Sequence, residues 1–247
     1  MTTMLHTLLS THRTLLADGA TGTNLFDMGL TTGDAPELWT LEQPEKIKSL
    51  HRSFVEAGAD IILTNTFGCN ARRLMLHDAQ DQTHTLNAKA ADLARAVVAE
   101  TTRDVCVAGS VGPTGDLFAP LGPLTMEDAI EVFAAQVEGL KAGGVDVIWI
   151  ETMSAPEEME AAARAAASAG MAYTLTGSFD TAGRTMMGTA PDAFVAFAAG
   201  LDPQPLAIGA NCGVGASDLL GSVLGFSATG TPLTLIAKAN CGIPTVH

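Results

Sequence analysis

Positive charge is scarce in this sequence: 13 Lys and Arg stand against 27 Asp and Glu, a formal net charge of -14. Such a field repels phosphate backbones and anionic lipid surfaces, which disfavours a nucleic-acid or membrane-surface role. Cysteine is scarce too. Cys69, Cys106, Cys212 and Cys241 are too few and too scattered for a disulfide framework and suit a reducing compartment, so a cytoplasmic protein is expected. No long uninterrupted apolar run is present. His6, Thr7, Ser10, Thr11 and His12 break the start of the chain where an export signal would lie. The charge-free stretch 219–237 contains Gly221, Gly225, Gly230 and Pro232 and reads as helix, loop and strand rather than a membrane span. With 47% hydrophobic residues in 247, the chain can bury a sizeable core, which excludes disorder.

What is there is a repeated pattern, in which a short apolar run ends in small or polar residues and an amphipathic stretch follows. The runs are 14–20, 59–67, 105–113, 145–152, 172–180, 205–213 and 234–242. Several are apolar throughout, as in Asp60-Ile61-Ile62-Leu63, so both faces are covered and the sheet is expected to be parallel. The helices between them carry start and stop signals. Pro44 opens one, with Ile47, Leu50, Phe54 and Ala57 on one stripe before Gly58. Thr125 caps another, with Ile130, Phe133, Val137 and Leu140 buried and Gly143 as its stop, and Ser154-Ala155-Pro156-Glu157 repeats the capping logic. With no linker in sight, residues 1–247 read as a single α/β domain. Seven runs in βα alternation point to a TIM-type (β/α)8 barrel, with a doubly wound open sheet as the competing architecture. Seven is one short of closure, so the eighth βα unit is expected to be missing and the domain truncated at its C-terminus.

In a parallel barrel the side chains at the C-terminal strand ends converge on one mouth. The polar residues there are Asp18, Asn65, Thr66, Ser110, Glu151, Thr152, Ser178, Asn211, Cys212, Asn240 and Cys241. Asp18 is either a turn former in its glycine-rich segment or a ligand-binding acid. Glu151 emerges from an apolar strand and needs a partner, either a basic residue such as Arg184 or Lys238 or the ammonium of a ligand. Cys212 and Cys241 sit in two Asn-Cys-Gly strand ends, as small hydrophobes or as thiolate metal ligands. Residues 112–123 are too rich in Gly and Pro for helix and form either a lid or a surface loop held by Phe118 and Leu121. Cys106 is expected to pack in the core, Cys69 has no evident partner, and His51, His77 and His84 lack metal spacing.

Taken together, Ala17-Asp18-Gly19-Ala20-Thr21-Gly22-Thr23, Thr64-Asn65-Thr66-Phe67, Gly109-Ser110-Val111-Gly112-Pro113, Ile150-Glu151-Thr152, Gly209-Ala210-Asn211-Cys212 and Lys238-Ala239-Asn240 resemble the homocysteine S-methyltransferase family. That family includes the homocysteine-binding barrel of cobalamin-dependent methionine synthase and betaine-homocysteine methyltransferase. The resemblance implies a (β/α)8 barrel and zinc-dependent methyl transfer to the thiol of homocysteine, giving methionine. It implies that Asp18 and Glu151 hold the amino-acid part of homocysteine, with Thr152 and Asn211 beside them, and that Cys212 is a zinc ligand. Zinc has a physical reason: a free thiol is mostly protonated at neutral pH, and only the thiolate attacks a methyl group well. The methyl donor is a small molecule or a methylcorrinoid carried by a separate protein. The sequence departs from the family in having no adjacent Cys-Cys pair, which would supply the other two zinc thiolates. Cys241 and His247 are the candidate substitutes. The competing readings are an inactive barrel that keeps the amino-acid pocket without a complete zinc site, and an unrelated barrel lyase or aldolase, for which Lys238 is the strand-end lysine available as a Schiff-base nucleophile.

Overall fold

The computed structural model describes residues 2–242. Helix α1 (Met4–Thr11) precedes the first apolar run, and α2 (Gly22–Asp27), α3 (Trp39–Glu42) and α4 (Pro44–Glu56) follow it. Strand and helix then alternate: β1 (Ile61–Leu63), α5 (Ala71–Leu74), α6 (Thr83–Val98), β2 (Cys106–Val111), α7 (Met126–Ala142), β3 (Val147–Met153) and α8 (Pro156–Ser168). The order ends with β4 (Tyr173–Gly177), α9 (Pro191–Ala199), β5 (Ala207–Cys212), α10 (Ala216–Ala228) and β6 (Thr234–Ala239). All six strands are parallel and lie in sequence order in one sheet. No described helix is long and apolar enough to cross a membrane.

Six of the seven expected runs are strands, and the first, 14–20, makes only a bridge from Ala17 to Ile61. The reason is local. Leu16 O accepts from Asp60 N and Ile61 N, Asp18 N donates to Ile61 O, and Asp18-Gly19 then turns away. This short run extends the sheet beyond β1. The sheet curls, so that Lys238 on β6 reaches Asp18 on that first run with an Nζ···Oδ1 distance of 2.8 Å. The result is an arc of parallel strands wrapped toward a barrel.

Alternation along the strands divides the core into two layers. Ile61, Leu63, Cys106, Ala108, Val147 and Trp149 point inward, where Leu5 and Leu8 of α1 pack against them. Ile62, Val107, Ile148, Ile150, Leu175 and Ile208 point outward to Val97, Phe133, Val137, Leu140, Met159 and Phe226 on the surrounding helices. Both faces of the sheet are therefore covered, as continuous apolar runs require.

The capping signals hold at Thr125, whose hydroxyl accepts from Asp128 N to open α7, with Gly143 at the end. They fail at α8, where Ala155 is the N-cap without a side-chain bond and Pro156 is the first helical residue. Ser154 is one residue too early, and its carbonyl is taken instead by the Thr185 hydroxyl at 2.9 Å. Gly209 is required by packing, since a Cβ there would lie 2.0 Å from Ile236 O on the neighbouring strand. Strand β6 is only partly covered along its length, whereas β1, β2 and β4 are wholly buried. Among the described residues no strand pairs with the outer edge of β6.

Candidate functional site

Three charged side chains meet inside the mouth of the curled sheet. Asp18, 6% exposed, accepts from Leu63 N at 2.7 Å on Oδ2 and from the Lys238 ammonium on Oδ1. Glu151, 8% exposed at the end of β3, accepts from the Ser110 hydroxyl at 2.5 Å. Of the two partners considered for Glu151, Arg184 donates instead to Gly188 O, and Lys238 makes its ion pair with Asp18. Burial pushes the carboxyls of Asp18 and Glu151 above their ordinary range, and the nearby Lys238 offsets only part of that rise. Burial acts to lower Lys238, but Asp18 and Glu151 together outweigh it and hold the ammonium above its ordinary range. A lysine so held is protonated, so it is a poor Schiff-base nucleophile and the aldolase reading loses its candidate.

The position of Ser110 is set from below. Its N–H donates to Thr64 Oγ1 at 3.1 Å, and its carbonyl accepts from the Thr66 hydroxyl at 2.7 Å and from the Gln136 amide at 3.3 Å. All of these groups are buried, so the network fixes the hydroxyl that grips Glu151.

Asn211, near the end of β5, ties the other half of the site together. Its Oδ1 accepts from Thr152 N at 2.9 Å and from the Thr176 hydroxyl at 2.8 Å. Its Nδ2 donates to Thr152 Oγ1 at 2.7 Å, to Cys212 Sγ at 3.3 Å and, at 3.5 Å, to Glu151 Oε2. Thr152 and Cys212 both have left-handed backbone, with φ of 60° and 58°. That conformation is a genuine outlier for a β-branched residue and needs its surroundings to enforce it. The Asn211 bond to Thr152 N helps hold Thr152 in that conformation, and Thr152 Oγ1 lies 3.8 Å from Cys212 Sγ. Sequence reading missed Thr176 and Gln136 and gave Thr64, quoted in its motif, no role of its own. Thr174-Leu175-Thr176 did carry a signal, a polar residue at every second position of an otherwise apolar strand.

The thiols divide as expected in part. Cys106 and Cys69 are buried, and burial raises both well above the ordinary thiol range, so neither is a thiolate. Cys212 is half-buried, and burial raises it too, against the hydrogen bonds from Thr152 and Asn211. Cys241 is exposed, and His247 lies outside the described residues. Among the described residues no three His, Cys, Asp or Glu side chains are grouped to hold a metal ion. One thiol at the mouth does not fit a tetrahedral zinc site.

Around the mouth, residues 112–123 form an irregular loop whose root is pinned by Glu158: its Oε1 accepts from Thr114 N at 2.8 Å and from the Thr114 hydroxyl at 2.7 Å. Phe118 packs on the core as expected, but Leu121 is 72% exposed and holds nothing. The buried anchor is Glu158, a carboxylate on the first turn of α8 that satisfies a backbone donor. His51 is buried and driven by desolvation to a pKa of about 4, a neutral core residue.

A family model described as homocysteine S-methyltransferase matches residues 15–247. The chain belongs to this family. As a homocysteine S-methyltransferase family member it is similar to methionine synthase of Mycobacterium leprae (strain TN), with 31% identity over 225 residues that make up 84% of this chain and 18% of that protein. Methionine synthase of Mycobacterium tuberculosis is 33% identical over 159 residues, 61% of this chain and 13% of that protein. The chain thus spans less than a fifth of the length of these curated relatives. Among solved structures, the metallated form of the homocysteine methyltransferase MmuM from Escherichia coli superposes with a TM-score of 0.82 at 27% identity, covering 97% of this chain and 88% of that one. Its apo form gives a TM-score of 0.76 at 25% identity. The family fold therefore accounts for nearly the whole chain.

Proposed function

We propose that this chain binds homocysteine and presents its thiol for methylation to methionine. Family membership supports the reaction, and the single observation that carries the site is the convergence of Asp18, Glu151 and Cys212 on one mouth. In this reading Glu151 and Asp18 hold the substrate ammonium. Thr152 and Asn211 line the adjoining wall, and Cys212 faces the substrate sulfur. The strands belong to a (β/α)8 barrel in which β6 and the first run face each other across the place of one further strand, and residues 1–247 are one domain.

The metal part of the proposal rests on Cys212 as one zinc ligand, with Cys241 and His247 as the candidate further ligands. The methyl donor is a small molecule or a separate methylcorrinoid protein, and the compartment is the cytoplasm. The lack of a three-ligand cluster among the described residues favours a second reading, a barrel that binds the amino acid without transferring methyl groups.

One experiment separates the two. Zinc content and homocysteine binding are measured on the purified chain under reducing conditions, beside Cys212→Ser. About one zinc per chain, lost in Cys212→Ser, supports methyl transfer, and methionine formation from candidate donors is then assayed. Homocysteine binding without zinc supports the binding barrel. No homocysteine binding overturns both.

A further inference from the structure

The mouth holds two buried carboxylates and one ammonium, and the ammonium has no role in the reading above. Among the described residues Lys238 is the only Lys, Arg or His at the strand ends that converge there, and its side chain is 19% exposed. Among the described residues its hydrogen-bond partner is a single oxygen, Asp18 Oδ1, although an ammonium carries three donors. Asp18 is itself occupied on both oxygens, by Leu63 N and by Lys238. Glu151 differs: its Oε1 is taken by Ser110, while its Oε2 receives only the 3.5 Å approach of Asn211. The least engaged anionic oxygen is therefore Glu151 Oε2, the Lys238 ammonium keeps unused donors, and Asp18 retains its second lone pairs. Asn211, which reaches Glu151 Oε2, stands opposite Lys238 in the pairing of β5 with β6, so the two charges face the same mouth. An α-amino acid carries the complementary pair on one carbon.

We propose that Lys238 is a specificity-determining residue that binds the α-carboxylate of the substrate while Glu151 takes its ammonium. Asp18, beside its share of the ammonium, holds Lys238 in place, with Leu63 N fixing the Asp18 carboxylate from the other side. The site so described selects a zwitterion over a simple amine. This inference rests on the homocysteine reading and narrows it.

The test compares homocysteine with 3-aminopropane-1-thiol, which keeps the amine and thiol and lacks the carboxylate, by titration calorimetry on the unmodified chain, Lys238→Met and Lys238→Arg. Thermal melting of each variant checks folding. The unmodified chain is expected to prefer homocysteine. Lys238→Met is expected to weaken homocysteine by about 10-fold to 100-fold, the span of one hydrogen bond to a charged group, and to leave 3-aminopropane-1-thiol unweakened. Lys238→Arg, which keeps the charge, should restore part of the preference and guards against a Met variant that fails to fold. Equal weakening of both ligands in Lys238→Met, or tighter binding of homocysteine, would show that Lys238 only braces or blocks the acids and would overturn the proposal. An unmodified chain that binds 3-aminopropane-1-thiol as well as homocysteine also overturns it, while the homocysteine reading survives. Binding of neither ligand removes that reading and Lys238 with it.

Discussion

Glu151 bears a cost at neutral pH that a binding residue can justify and a structural one cannot. Burial raises its carboxyl above the ordinary 4.5, and Asp18 pushes the same way, against Lys238 and the Ser110 hydroxyl. A carboxyl raised in the folded state holds its proton more tightly folded than unfolded. Its contribution to stability is therefore complete below the unfolded value and is lost as pH rises through the folded one. Glu151→Gln, which keeps an acceptor for Ser110, is expected to melt above the parent at pH 7, with the difference closing as pH falls to about 4. Homocysteine affinity should drop at least tenfold in the same protein. A variant that melts lower at pH 7 would mean that attraction to Lys238 exceeds the burial cost. Asn211 predicts the opposite behaviour. Its carboxamide satisfies Thr152 N, the Thr176 hydroxyl and Thr152 Oγ1, all inside the protein. Asn211→Ala strands those groups and should destabilise by about 2–3 kcal/mol in urea unfolding, at every pH between 5 and 8. A loss under about 0.5 kcal/mol, no more than an ordinary surface substitution, would show that water replaces the carboxamide.

At the scale of the element, the legible features were those with local causes. Thr125 before Met126-Glu127-Asp128 has the donor and the spacing for a cap, and it caps; Thr125→Ala should cost about 1 kcal/mol. Phe133 lies on the expected stripe and is fully buried between α7 and the sheet, so Phe133→Ala should cost about 3–5 kcal/mol. Denaturant unfolding at constant m-value checks both, and equal losses would contradict the assignment of one to a cap and the other to the core. Features decided by long-range partners were not legible. Ser154 has the composition of a cap, but Thr185, far along the chain, takes its carbonyl and Pro156 sets the helix start one residue later. The first run has strand composition, yet pairing stops where Asp18 turns its side chain to Leu63 N and Lys238. Asp18, Glu151 and Cys212 were found as strand-end polar groups, but the bond from Lys238 to Asp18 spans 220 positions and follows from sheet curvature, which no local pattern encodes.

The whole molecule's response to acid is set by groups of opposite sign. Asp18 and Glu151, both raised by burial, become less of a burden as pH falls below their folded values. His51 acts the other way. It is 2% exposed on α4, its Nε2 has no hydrogen-bond partner, and desolvation lowers it from 6.5 to about 4. The unfolded chain therefore takes up a proton near pH 6.5 that the folded chain refuses until about pH 4, so the contribution of His51 is full above the upper value and lost as pH falls through the window. Across that window the loss is about 3 kcal/mol, a large share of the stability of a typical domain. His51→Leu fills similar volume without a titrating group and without an unpaired nitrogen, so it should be no less stable than the parent by more than about 1.5 kcal/mol at pH 7. Its stability curve between pH 6.5 and 4 should be flatter by about 3 kcal/mol, read from urea midpoints at closely spaced pH values. Parallel curves for parent and variant would mean that His51 takes up its proton as readily folded as unfolded, and the acid sensitivity would then have to come from the 27 Asp and Glu side chains.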